Sequence, residues 1–248
     1  MKALLELRGV QTHIGAYHIL HGVDLVVPEG ELTLLLGRNG AGKTTTLRSI
    51  MGLWQASKGQ VLLDGQAIGG PGAQLATPEI ARRSIAYVPE NMGIFGALSV
   101  AENLLLAARE ARRIEQLDGE RLDWLFGLFP ALKKFWHYPA GKLSGGQKQM
   151  LAIARALIEP RRLLLIDEPS KGLAPAIVQN LIESLQALKR SRTTVLLVEQ
   201  NFHMARQLGD SVAVMDDGRV VHAGRMADLA ADEALQQRLL GLSLAAHQ

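Results

Sequence analysis

The sequence predicts an α/β protein built around a phosphate-binding loop, and three observations carry that prediction. Short apolar runs at 32–36, 163–166, 193–198 and 211–215 are dense in Leu, Val and Ile and have the length of strands buried on both faces. Between two of them, 176–190 places Ile177, Leu181, Leu185 and Leu188 on one face of a helix. Directly after the first run stands Gly37-Arg38-Asn39-Gly40-Ala41-Gly42-Lys43-Thr44, which fits G-x-x-x-x-G-K-[ST] with a strand before it and a helix, 44–51, after it.

The remaining elements follow along the chain. Residues 5–10 alternate, 25–27 form a strand that Pro28-Glu29-Gly30 turns, and 61–63 form another closed by Asp64-Gly65. These pieces predict an antiparallel sheet beside the phosphate-binding one. Strand 85–88 stops at Pro89, which cannot continue a central ladder. From 90 to 160 the pattern turns helical: 99–113 is rich in Ala, Leu and Glu, and 121–129 carries Leu122, Leu125, Phe126 and Phe129 at helical spacing. Trp124, Phe135, Trp136 and Tyr138 gather in the same region and read as core or as a surface for a partner rather than as a cofactor box. We therefore expect one domain over 1–248, with a core of 1–89 and 161–248 and a helical lobe inserted at 90–160. The tail beyond Leu242 is short and is expected to fray.

Composition narrows the function classes. At 248 residues and 48% hydrophobic the chain can bury a full core. Its formal net charge is +3, and the basic clusters Arg112-Arg113, Lys133-Lys134 and Arg161-Arg162 lack interleaved stacking aromatics. They read as solvated faces, and no nucleic-acid partner is expected. No apolar run approaches the roughly 18 residues of a membrane span, and Met1-Lys2-Ala3-Leu4-Leu5-Glu6 lacks a secretory apolar stretch, so a soluble intracellular chain is expected. Absence of cysteine excludes disulfides and thiolate-held metals.

The chemistry concentrates in three stretches. In the loop, glycines let successive backbone N–H groups turn inward around phosphate oxygens, Lys43 reaches the terminal phosphates and the Thr44 hydroxyl ligates Mg²⁺. The helix that follows points its positive end at the same phosphates. Asp167 and Glu168 emerge where strand 163–166 ends, at the side where ligands of α/β sheets gather. Asp167 would hold Mg²⁺ or its water, and Glu168 would polarise an attacking water. Ahead of them, in Leu143-Ser144-Gly145-Gly146-Gln147, Ser144 and Gln147 form a capping box that opens a helix through Ile153, Ala154 and Leu157. Its exposed N–H groups suit a γ-phosphate presented by a facing subunit.

In this order the three stretches resemble the nucleotide-binding subunits of ABC transporters over nearly the whole chain. Tyr87-Val88-Pro89-Glu90, Asp167-Glu168-Pro169-Ser170 followed by Gly172-Leu173-Ala174-Pro175, and Leu197-Val198-Glu199-Gln200-Asn201 are similar to one subgroup. That subgroup is the second ATP-binding subunit of branched-chain amino acid importers, whose relatives import urea, short amides and other small polar solutes. The resemblance implies a P-loop core of the ABC ATPase type, ATP and Mg²⁺ as cofactors, and two ATPase subunits, alike or different, sandwiching two ATP molecules. It further implies permease subunits contacting the helical lobe, a solute-binding protein as an indirect partner, and a peripheral place at the cytoplasmic face of the inner membrane. An exporter or lipid-transport motor is one alternative. A soluble ATPase working on DNA or ribosomes is another, though such chains generally carry coiled-coil insertions or tandem cassettes.

Carried over residue by residue, the resemblance makes Glu168, Gln200 and Lys43 catalytic, and Thr44, Asp167 and Glu90 metal-binding. Gly37, Arg38, Asn39, Gly40, Ala41, Gly42, Lys43, Thr44 and Thr45 would hold nucleotide, with Ser144, Gly145, Gly146 and Gln147 facing it from the second subunit. Several positions depart from ABC ATPases in general. Glu90 stands where most carry Gln and adds negative charge that magnesium must screen, and Gln200 replaces the switch histidine with an amide that cannot become a cation. Ile14 occupies the place of the adenine-stacking aromatic, leaving Tyr17 as the candidate substitute with His13 nearby. Lys171 follows Ser170 where a small or apolar residue is usual and is either solvated or functional; Ala174 takes the place of an aspartate.

Overall fold

A computed structural model describes residues 2–241, and the tail beyond Leu242 lies outside them. Among the described residues the ten strands are β1 (Ala3–Ile14), β2 (Tyr17–Pro28), β3 (Leu32–Gly37), β4 (Ala56–Leu63), β5 (Gln66–Gly69), β6 (Ile85–Val88), β7 (Leu163–Asp167), β8 (Thr194–Glu199), β9 (Ser211–Asp216) and β10 (Arg219–Arg225). They form a four-stranded sheet in the order β2-β1-β4-β5 and a six-stranded sheet in the order β10-β9-β3-β8-β7-β6. The smaller sheet is antiparallel throughout. The larger is parallel from β9 to β6, with β10 added antiparallel at one edge.

Strand alternation divides the core in two. Leu34, Leu36, Leu164, Ile166, Val195 and Leu197 face one way, into a cluster shared with the helices α3 (Val100–Ala107), α6 (Gly145–Leu157) and α7 (Pro175–Arg190). Leu35, Leu163, Leu165, Leu196 and Val198 face the other way, against the antiparallel sheet, α1 (Lys43–Ile50) and α2 (Thr77–Arg82). Because both faces are covered, these strands read as continuous apolar runs. The parallel register sets Leu36 beside Glu199 and Asp167 beside Val198, so the carboxyl ends of β3, β7 and β8 open onto one edge.

Between β6 and β7 the chain enters neither sheet. It forms α3, a 3₁₀ turn at Ile114–Gln116, α4 (Gly119–Leu128), α5 (Pro130–Lys134), a second 3₁₀ turn at Ala140–Lys142 and α6, packed through Leu104, Leu125, Phe129 and Leu132. Of the aromatics named for this region, Phe129 is core at 1% exposed; Trp124, Phe126, Phe135 and Trp136 are half-buried against that core, with Phe126 meeting Trp136 edge-on at 5.4 Å, and Tyr138 is exposed.

Several expectations are corrected. The helix predicted over 99–113 stops at Ala107, because Ala108 is extended and Arg109 is drawn into tertiary bonds. Its N–H donates to Glu159 Oε1 at 2.9 Å and its guanidinium to the Ala81 carbonyl at 2.6 Å. Strand 85–88 does end before Pro89, at the border of its sheet. The first two strands run far beyond 5–10 and 25–27 and pair as a long hairpin. Arg162 is not simply solvated: it bonds Asp64 Oδ2 at 2.9 Å.

Candidate functional site

The phosphate loop takes its shape from β3 and the positive-φ glycines that follow it. Gly37 has φ +151, and a Cβ there would collide with the Met215 carbonyl oxygen; at Gly42, φ +100, one would lie 2.9 Å from Leu20 Cδ2. No L side chain fits either place, so the loop is wrapped tightly against β9 and β2. Lys43 is buried at 4% exposure inside this wrap. Its ammonium donates to the carbonyls of Gly37 at 2.9 Å and Arg38 at 3.0 Å, and lies 3.3 Å from Glu168 Oε1.

β7 delivers two carboxylates to the same edge. Asp167 accepts from the Thr44 hydroxyl at 3.1 Å and from the Tyr87 hydroxyl at 3.2 Å. Burial raises its carboxyl above the usual range, against the pull of those two donors, and the same setting pushes Tyr87 up to about 12. The Thr44 hydroxyl and Asp167 carboxylate are hard oxygen donors that meet before any ion arrives, which fits the donor set magnesium uses. Glu168, at φ 45, sits in the left-handed region where only a constrained turn holds a non-glycine residue. Its Oε1 accepts from Gln200 Nε2 at 2.7 Å, and the same amide nitrogen donates to Asn39 Oδ1 at 2.7 Å. Thus Gln200 ties the phosphate loop to the turn after β7.

Lys43, Thr44, Asn39, Asp167, Glu168 and Gln200 therefore converge. Thr45 lies half-buried in the first turn of α1, while Arg38 and Gly40 are exposed on the loop. Glu90 joins the cluster through Lys171, whose ammonium is 2.6 Å from Glu90 Oε1 and 3.8 Å from Glu168 Oε2. Lys171 is accordingly paired rather than free in solvent, and it already neutralises the charge that magnesium was expected to screen.

The capping box at α6 is formed: the Ser144 N–H donates to Gln147 Oε1 at 2.9 Å, and the Gln147 N–H returns to Ser144 Oγ at 3.3 Å. Gly146 also has a packing reason, since a Cβ would collide with Ile177 Cγ2 of α7. Ser144 and Gly145 are exposed, and among the described residues no hydrogen bond joins 144–147 to the phosphate loop. Tyr17 is 75% exposed at the β1–β2 turn, where the rings of His13 and His18 stack at 4.1 Å.

Two residues had no role in the sequence reading. Tyr87 reaches Asp167 only because β6 lies beside β7, and Glu199 is a buried carboxylate at the end of β8. Each stands within a quoted motif, which was the available signal; its partners depend on strand order.

The family model for ABC transporters matches residues 20–171. The chain is 39% identical to the high-affinity branched-chain amino acid transport ATP-binding protein BraG of Pseudomonas aeruginosa, over 96% of this chain and 100% of BraG. It is 35% identical to the probable branched-chain amino acid transport ATP-binding protein LivF of Archaeoglobus fulgidus, over 95% of this chain and 99% of that protein. A crystal structure of an ATP-binding cassette of an ABC transporter in its ADP conformation matches with a TM-score of 0.80 at 24% identity, covering 98% of this chain and 100% of the other. That likeness shows the fold. The chain thus belongs to the ABC transporter family, as an ATP-binding subunit that hydrolyses ATP to power transport.

Proposed function

We propose that this ATPase drives import of a small polar solute, with branched-chain amino acids as the solute class. The observation that carries the reading is near-full-length likeness to two subunits named for branched-chain amino acid transport. No helix among the described residues is long and apolar enough to cross a membrane, so the path for solute belongs to permease partners. The subunit would act at the cytoplasmic face of the membrane, paired with a second ATPase subunit, with a solute-binding protein supplying the permease. Disrupting the coding sequence in its host should abolish uptake of labelled leucine, isoleucine and valine, and restoring it should return uptake. Intact leucine uptake with lost urea or amide uptake would move the solute assignment to those relatives; no uptake defect would overturn import.

Within the site, Glu168 would orient and deprotonate the attacking water, held by Gln200 and Lys43. Thr44 and Asp167, with Glu90 at the margin, would hold magnesium, which would supply positive charge to offset that of the phosphates. On nucleotide arrival Lys43 would exchange Glu168 for phosphate oxygens. Ser144, Gly145, Gly146 and Gln147 would meet the γ-phosphate of the facing subunit, a role supported by a capped helix start at which Ser144 and Gly145 are exposed. The helical lobe at 90–160 would be the permease-facing part of a single domain.

The Lys171–Glu90 pair yields a prediction. Lys171→Met uncovers the Glu90 charge beside incoming phosphates, so ATP affinity at low magnesium should fall about 1.5- to 5-fold, the worth of an exposed pair. Adding Glu90→Gln should restore it. Nucleotide titrations across magnesium concentrations check this, and unchanged curves in Lys171→Met would reduce the pair to a surface contact.

A further inference from the structure

We propose that Glu199 is a positioning residue: its buried carboxylate clamps the turn after Glu168 to the turn that carries Gln200, fixing the contact between those two side chains. Glu199 is 1% exposed, and no cation among the described residues pairs with it. A carboxylate so stripped of water persists only if its oxygens are filled by donors. Four donors fill them. The Ser170 N–H reaches Oε1 at 2.9 Å, while Oε2 accepts the Ser170 hydroxyl at 2.9 Å, the Gln200 N–H at 3.0 Å and the Asn201 N–H at 3.2 Å.

The arrangement joins two segments that the chain separates widely. Ser170 lies two residues beyond Glu168, and Gln200 follows Glu199 directly, so one carboxylate holds the backbone on both sides of the 2.7 Å Gln200–Glu168 contact. Only an ionised group does this, because it accepts on both oxygens and donates on neither. An amide in the same volume would keep its oxygen at the three-donor side and turn its NH₂ against the Ser170 N–H, donor facing donor. Burial raises the Glu199 carboxyl while the four donors oppose that rise, as expected where a charge is kept for its hydrogen bonds.

The test is Glu199→Gln in the full chain. Turnover at saturating ATP should fall about ten- to a hundredfold through misplacement of Glu168 and Gln200, with ATP affinity within about twofold of the parent. Ser170→Ala, which loses one of the four donors, should lower turnover less. It should cost little more in the Glu199→Gln background, because both act through one contact. Hydrogen exchange at the Ser170, Gln200 and Asn201 amides should quicken in Glu199→Gln. A general structural role would instead lower affinity and turnover together and make the two substitutions additive, and either result overturns the proposal. Should Glu199→Gln not fold, Ser170→Ala with its kcat-against-KM split and Ser170 exchange carries the same decision. The inference rests on the roles given to Glu168 and Gln200, so Glu168→Gln runs alongside. An inactive Glu168→Gln beside a parent-like Glu199→Gln removes the clamp alone, whereas an active Glu168→Gln removes both.

Discussion

Glu168→Gln should bind ATP at least as tightly as the parent and hydrolyse it about 10²- to 10⁴-fold more slowly, the range a positioned general base supplies. The amide keeps the size of the carboxyl and still accepts from Gln200 Nε2, so the 2.7 Å contact survives. What disappears is basicity, and with it the negative charge that Lys43 faces at 3.3 Å. ATP must displace that carboxylate in the parent. In the variant Lys43 faces a neutral amide oxygen in place of the carboxylate, beside the Gly37 and Arg38 carbonyls, so phosphate oxygens meet less competition. Equilibrium titration with ATP and magnesium, beside steady-state phosphate release, separates the two effects. Parent-like turnover in a folded variant would assign the base elsewhere, and a parallel loss of affinity would make Glu168 a binding residue.

How much of this was legible beforehand follows from what each signal depends on. The parallel strands were readable because burial on both faces leaves apolar runs such as Leu32 to Leu36 and Leu163 to Ile166. The phosphate loop and the capping box were readable because their chemistry is local, within eight residues or fewer. The edge strand β10 was not: it is largely exposed and carries Arg219, His222 and Arg225, so no apolar period marks it. The end of α3 was missed because Arg109 is captured by Glu159 and Ala81, distant in sequence, which outweighs the helix propensity of the stretch after Ala107.

The same division runs through the site. Lys43, Thr44, Asp167 and Glu168 announce themselves by motif, and they do converge. Tyr87 reaches Asp167, Ser170 reaches Glu199 and Lys171 reaches Glu90, and these contacts exist only once β6, β7 and β8 lie side by side. Lys171 illustrates the point: in sequence it is a lysine in a turn, and only the fold brings Glu90, 81 positions away, to 2.6 Å. Side chains that catalyse tend to sit in motifs, whereas those that position them are recruited from wherever the topology allows.

Lys43→Ala should lower ATP affinity about ten- to a hundredfold, the worth of hydrogen bonds to a charged group, and bring hydrolysis to background. It should also cost stability before any nucleotide is present. Lys43 and Glu168 are 4% and 8% exposed, so removing the ammonium leaves a buried carboxylate with Gln200 and the more distant Lys171 as remaining partners. Breaking such a pair from one side costs about 3–5 kcal/mol. Loss of both charges is a different matter. Lys43→Ala combined with Glu168→Gln leaves no charge unpaired between these positions, so the double variant should melt above Lys43→Ala while remaining inactive. Thermal unfolding of the four proteins without nucleotide measures the coupling, and ATP titration of the same set measures binding. If the double variant melts lower than Lys43→Ala by the full cost of Glu168→Gln, the 3.3 Å pair has no energetic meaning; if Lys43→Ala binds ATP like the parent, the phosphate loop does not use its lysine.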